Sequence, residues 1–104
     1  MARLRRYELH SKLVELLGSD QVYFRDPGKV AMKYPAIVYS TSDIYLEHAD
    51  DIVYRNTTRY DVTLIDKDPD SDLPDKMIES FEYCRFSRYF VADNLNHYLF
   101  NLYY

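Results

Sequence analysis

Three histidines, one cysteine and a run of alternating aspartates are the side chains here with the most chemistry to offer. His10, His48 and His97 are spread along the chain, without the short H-x3-H or C-x2-C spacings that bring ligands onto one metal ion. They read as surface or sheet histidines. Cys84 is the only cysteine, so an internal disulfide is excluded and a reducing compartment is expected. It falls among aromatic residues in a segment that reads as a strand, where a buried thiol is unreactive. A Cys84–His97 dyad across the closing hairpin is geometrically open. It lacks a third orienting group and a glycine-built oxyanion turn.

Asp66, Asp68, Asp70 and Asp72 alternate in a D-x-D-x-D-x-D pattern that resembles oxygen-rich cation ligation. The central glycine and terminal bidentate glutamate of a calcium loop are missing, so the segment reads as a solvated turn feeding a helix. Gly18 and Gly28 are the only glycines, which excludes a glycine-rich phosphate cradle. No cofactor motif is present, and the chain reads as non-enzymatic.

The elements that would position these residues follow from periodicity. Leu9, Leu13, Leu16 and Leu17 share one side of a helix expected over 4–17, which Gly18 stops. Residues 21–25 read as a short strand ended by Asp26-Pro27-Gly28. Residues 34–40 read as another, with Pro35 at its first position or on an edge. Residues 41–51 are expected to extend that strand into a turn. The strongest strand signal runs from Ile52 to Asp66, with Tyr60, Val62 and Leu64 on one face and Asp61, Thr63 and Ile65 on the other. A long antiparallel hairpin over 37–66 follows.

Asp72 is the expected N-cap of a second helix with Pro74 in its first turn. Leu73, Met77, Ile78 and Phe81 form its apolar stripe. Residues 83–91 and 95–103 then make a hairpin about Asp93-Asn94, with Cys84, Phe86 and Phe90 expected on one face and Arg88 among them. The order α-β-β-β-α-β-β points to an α+β domain, a mainly antiparallel sheet with two helices packed on it. At 104 residues the chain fits a single domain, 1–104.

Composition bears on partners. The net charge of −4 argues against a basic nucleic-acid footprint. Neither a membrane-length apolar run nor a signal peptide is seen, so a soluble, cytosolic protein is expected. The 12 tyrosines and 5 phenylalanines, with no tryptophan, suit half-buried sheet faces and protein interfaces. Charge is segregated: Arg3, Arg5 and Arg6 make one end basic, while Asp43, Glu47, Asp50 and Asp51 are acidic without a neighbouring base. These seven residues are the candidate partner interface.

Three phrases carry a resemblance. Residues 59–71 (RYDVTLIDKDPDS), 32–39 (MKYPAIVY) and 92–97 (ADNLNH) resemble passages of the tail terminator, or tail completion, family of tailed bacteriophages. The resemblance implies a sheet flanked by helices and a ring, typically a hexamer, at the head-proximal end of the tail tube. Such a ring stops tube polymerisation and docks the head. The implied partners are further copies of the chain, the tail tube protein and a head-completion or neck protein. DNA would pass through the ring without specific recognition, and no membrane is involved. The implied location is the virion tail or neck, reached from the host cytoplasm. The family supplies no catalytic residue to transfer. Alternative readings are a head-closure or neck adaptor, a small host-interacting regulatory module, and a metal-dependent nuclease built on Asp66–Asp72.

Overall fold

The leucines of the first helix settle where the core lies. In the computed structural model, which describes residues 2–25, 32–41 and 59–104, α1 runs over Ala2–Leu17. Leu9, Leu13 and Leu17, one helical turn apart, are buried. Leu16 and Val14 pack half-buried at the margin. The helix ends at Gly18, whose N–H donates to the Val14 carbonyl at 2.9 Å. Its φ of +79° lies in the left-handed region, where a β-carbon meets its own backbone.

Among the described residues, five strands form one mixed sheet: β1 (Val22–Phe24), β2 (Ala36–Thr41), β3 (Arg59–Asp66), β4 (Cys84–Ala92) and β5 (Leu95–Tyr103). Their spatial order is β1-β2-β3-β5-β4. β1 pairs with β2 in parallel, Val22 opposite Ile37, and every other pair is antiparallel. The second helix, α2 (Leu73–Ser80), connects β3 to β4. Because β5 lies between those two, the unit is a split β-α-β, and its helix packs across one sheet face. The expected α+β class therefore holds, with one parallel pair that a chain of hairpins would not contain.

Burial is strongly one-sided. Ile37 and Tyr39 lie opposite Leu64 and Val62. Tyr60, Val62 and Leu64 lie opposite Leu102, Phe100 and Tyr98. With Leu9, Leu13, Leu73 and Met77 from the two helices, these residues form the core cluster, Tyr98 packing half-buried against it. Each fully buried aliphatic side chain contributes about 1.5–3 kcal/mol relative to exposure. Tyr39 joins the aromatic contacts through Tyr60 (centroids 6.0 Å apart) and Phe24 (5.2 Å).

Of the strand expected over Ile52–Asp66, the part from Arg59 onward is found as β3, and residues 42–58, including the expected turn, lie outside the described residues. Three expectations need correcting. Asp72 occupies the N-cap position of α2 but makes no side-chain capping bond; the Ser71 hydroxyl accepts from the Leu73 N–H instead, at 3.2 Å. Ile78 does not join the buried stripe. It is exposed, because the short helix packs through Leu73 and Met77, four residues apart, and Ile78 is turned past that line.

The third correction concerns β4. Cys84 and Phe86 lie opposite Leu102 and Phe100, on the helix side. A β-bulge at Ser87 then shifts the register, so that Arg88 faces Leu99 and Phe90 faces His97. One inserted residue moves every later side chain to the other face. Phe86 and Phe90 are thus on opposite sides of the sheet.

The closing turn is as expected: Asp93 (φ 54°) and Asn94 (φ 62°) are both left-handed, the geometry of a type I′ hairpin turn. Beside it, buried Asn96 donates through Nδ2 to the Asp66 carbonyl (3.1 Å) and accepts at Oδ1 from the Tyr89 hydroxyl (2.6 Å).

Two substitutions test these local arguments. Gly18→Ala should destabilise the domain by about 1 kcal/mol in denaturant unfolding, because an alanine is forced into the left-handed region. Asn96→Ala should cost about 1–3 kcal/mol, since it leaves a buried carbonyl and the tyrosine hydroxyl without their partner.

Candidate interaction surface

The residues singled out for catalysis are kept apart by the fold. Cys84 and His97 lie on opposite faces, since Cys84 is opposite Leu102 and His97 is five residues from it, about 17 Å along the strand. Burial pushes the Cys84 thiol up to about 11, away from the reactive thiolate. The aspartate run is engaged in turn-making: Asp66 accepts from the Asp68 N–H (3.1 Å), and Asp68 from the Asp70 N–H (2.9 Å). No group of three or more potential metal ligands occurs among the described residues.

Of the seven residues expected at the partner interface, only Arg6 has a described side chain. Asp43, Glu47, Asp50 and Asp51 lie outside the described residues, and the side chains of Arg3 and Arg5 do as well. Arg6 faces inward. Its guanidinium covers the Phe24 ring at 4.1 Å and the Tyr7 ring at 4.7 Å, a cation–π arrangement that ties α1 to β1.

Arg6 also belongs to a small polar cluster with His10 and Tyr39. The Tyr39 hydroxyl lies 2.7 Å from His10 Nδ1, within hydrogen-bond distance, and Arg6 acts on the same hydroxyl. Burial, and then the Arg6 charge, hold His10 below its ordinary value of 6.5. Burial raises Tyr39, and its interactions with Arg6 oppose that rise. The cluster joins a helix to an inner strand and has the form of a structural tie.

The surface that stands out is one that sequence reasoning did not single out. β4 is an edge strand, and all seven of its residues from Arg85 to Val91 are exposed. Four of the large exposed hydrophobic side chains lie on it: Phe86 (51%), Tyr89 (47%), Phe90 (36%) and Val91 (58%). They are held in position by pairs across the hairpin. Phe86 meets Phe100 edge-on at 5.7 Å, Tyr89 lies 5.0 Å from Tyr98, and Phe90 stacks on His97 at 4.6 Å and 9°.

The bulge sorts β4 into two different faces. Phe86, Tyr89 and Val91 are on the helix side, while Arg85, Arg88 and Phe90 are on the open side. The Arg88 guanidinium lies 5.2 Å from the Phe90 ring centre. No acidic residue occurs anywhere in the strand. Among the described residues no strand lies beyond β4, so its outer edge offers backbone for pairing, with an apolar row above and a basic row below. Natural edge strands are shielded by bulges and charges, and this one has both while keeping its aromatics outside. The sequence signal was present, as apolar residues on both parities with arginines between them. What was missing was the strand's place at the edge.

Comparison with protein-family models, with curated proteins and with solved structures gave no match in any of the three.

The His10 arrangement yields a pH prediction. A histidine whose folded-state pKa lies below its unfolded value binds protons more readily when unfolded. Stability should fall as pH drops from about 7 through 6.5 toward the lowered folded value, then stop changing on its account. Denaturant unfolding at pH 7.5 and 5.5 should show this loss, and His10→Gln should remove it.

Proposed function

We propose that this chain is a structural subunit that works by assembling with other proteins, and specifically a tail terminator: a ring-forming protein at the head-proximal end of a bacteriophage tail tube. The observation that carries the assembly reading is β4, an exposed edge strand whose aromatic side chains are ordered by cross-strand contacts instead of being buried. Large apolar patches at a sheet edge mark sites of protein contact. The opposite edge, β1, is only three residues long and unlike β4 in composition. Two unlike edges favour head-to-tail contacts, which close into rings, over the self-matching contact of a two-fold dimer.

The tail assignment adds to this the resemblance of residues 32–39, 59–71 and 92–97 to the terminator family, together with the α+β frame that the family implies. On this reading the chain has no catalytic step. Its work is done by surfaces: one joins neighbouring subunits, one caps the tube, and one receives the head or neck. Among the described residues no helix is long and apolar enough to cross a membrane.

Native mass spectrometry of the purified chain, with and without tail tubes, tests the proposal. A ring, expected as a hexamer, should form alone or on tube ends and should halt tube growth in a polymerisation assay. Reversing Arg3 and Arg5 to glutamate, with Arg6 left in place because it ties α1 to β1, should weaken ring formation, most clearly at low salt, where charge attraction is least screened. A chain that stays monomeric and leaves tube growth unchanged defeats the tail reading.

A further inference from the structure

We infer that the outer edge of β4 receives an added strand from a second copy of this chain, supplied by its segment 43–47. The inference rests on the proposal that the chain assembles with copies of itself, and it names the contact. β4 dictates the chemistry of its occupant. An incoming strand gains main-chain hydrogen bonds along the edge, and its side chains alternate between the two faces. Those on the helix side meet Phe86, Tyr89 and Val91, and those on the open side meet Arg85 and Arg88. The fitting occupant alternates apolar and acidic residues.

The sequence contains such an alternation. In Asp43-Ile44-Tyr45-Leu46-Glu47, an extended chain places Asp43, Tyr45 and Glu47 on one side and Ile44 and Leu46 on the other. The charges are complementary as well. Residues 43–51 contain four carboxylates and no lysine or arginine, and β4 contains two arginines and no carboxylate. Tyr45 suits the arginine row too, since guanidinium groups stack on tyrosine rings.

The alternative of β4 pairing antiparallel with β4 of another copy is disfavoured by the same charges. The two-fold axis of such a pair is perpendicular to the sheet, so both arginine rows would fall on one face beside each other. Like charges placed across neighbouring strands are destabilising. A donor segment of opposite charge removes that conflict and makes the contact head-to-tail.

The test uses the whole chain and a fluorescent synthetic peptide with the sequence of residues 42–49. Saturable binding is expected, weakening as salt is raised. R85E/R88E should bind the peptide at least about tenfold more weakly, and the milder R85Q/R88Q should fall between, since two exposed charge pairs are lost or reversed. A peptide carrying Asp43→Lys and Glu47→Lys should restore binding to R85E/R88E. That reciprocal rescue is not expected if the substitutions only perturb folding. No saturable binding to the native chain, or equal affinity across all four pairings, overturns the inference. Capture of the peptide with no ring on tail tubes leaves this contact standing and removes the tail reading. Ring formation without capture removes the contact alone.

Discussion

The pairing of β3 with β5 is the constraint on which the rest of the packing depends. It brings Tyr60, Val62 and Leu64 against Leu102, Phe100 and Tyr98, and this band is the floor on which both helices rest. A slip of one residue would turn Asp61 and Asn101 toward the helices and send the apolar set outward. The register is held at one end by Asn96, whose side chain binds the Asp66 carbonyl directly across the ladder. Once β5 lies beside β3, the strand joined to β5 by a two-residue turn must occupy the far side. β4 is thereby placed at the edge.

This constraint separates what the sequence could reveal from what it could not. The leucine spacing of α1, the alternation within β3 and the Asp93-Asn94 turn are local signals, and each is found where local rules put it. The pairing of β1 with β2 in parallel, and the insertion of β5 between β3 and β4, are settled by contacts between distant segments. No short-range pattern encodes them. The bulge at Ser87 lies between these cases. Period-two reasoning placed Phe86 and Phe90 together, and a single extra residue set them on opposite faces. Asp72 shows a smaller version of the same limit, since a good capping residue was displaced by the hydroxyl of its neighbour Ser71. At the candidate site, charge segregation was legible in composition, but the inward turn of Arg6 onto Phe24 depends on how α1 lies over β1.

The dispersal of the chemically capable residues is informative in the same physical terms. Catalysis needs groups brought within hydrogen-bond reach and held there. Here the cysteine and the described histidines sit on separate elements or faces, and Asp66 and Asp68 accept from backbone N–H groups that organise a turn. The polar tie of Arg6, His10 and Tyr39 uses groups that recur in active sites, yet it joins α1 to β2 beneath the aromatic packing of Phe24. Its energy is spent on docking the first helix over the two strands farthest from β4.

The two ends of the sheet are therefore finished differently. At the β1 end, Arg6 and α1 cover the aromatic Phe24, and the strand is short. At the β4 end, aromatic side chains are left outside but made rigid by Phe100, Tyr98 and His97. Rigid exposed rings lose little conformational freedom when a partner covers them, so more of their burial appears as affinity. An exposed edge is also an aggregation hazard, and Arg85 and Arg88 act against indiscriminate pairing between identical edges. In the proposed contact, the same two charges that discourage β4 from pairing with itself select an acidic strand in its place. Attraction to one partner and exclusion of the wrong one thus come from the same side chains, which is how a contact acquires direction.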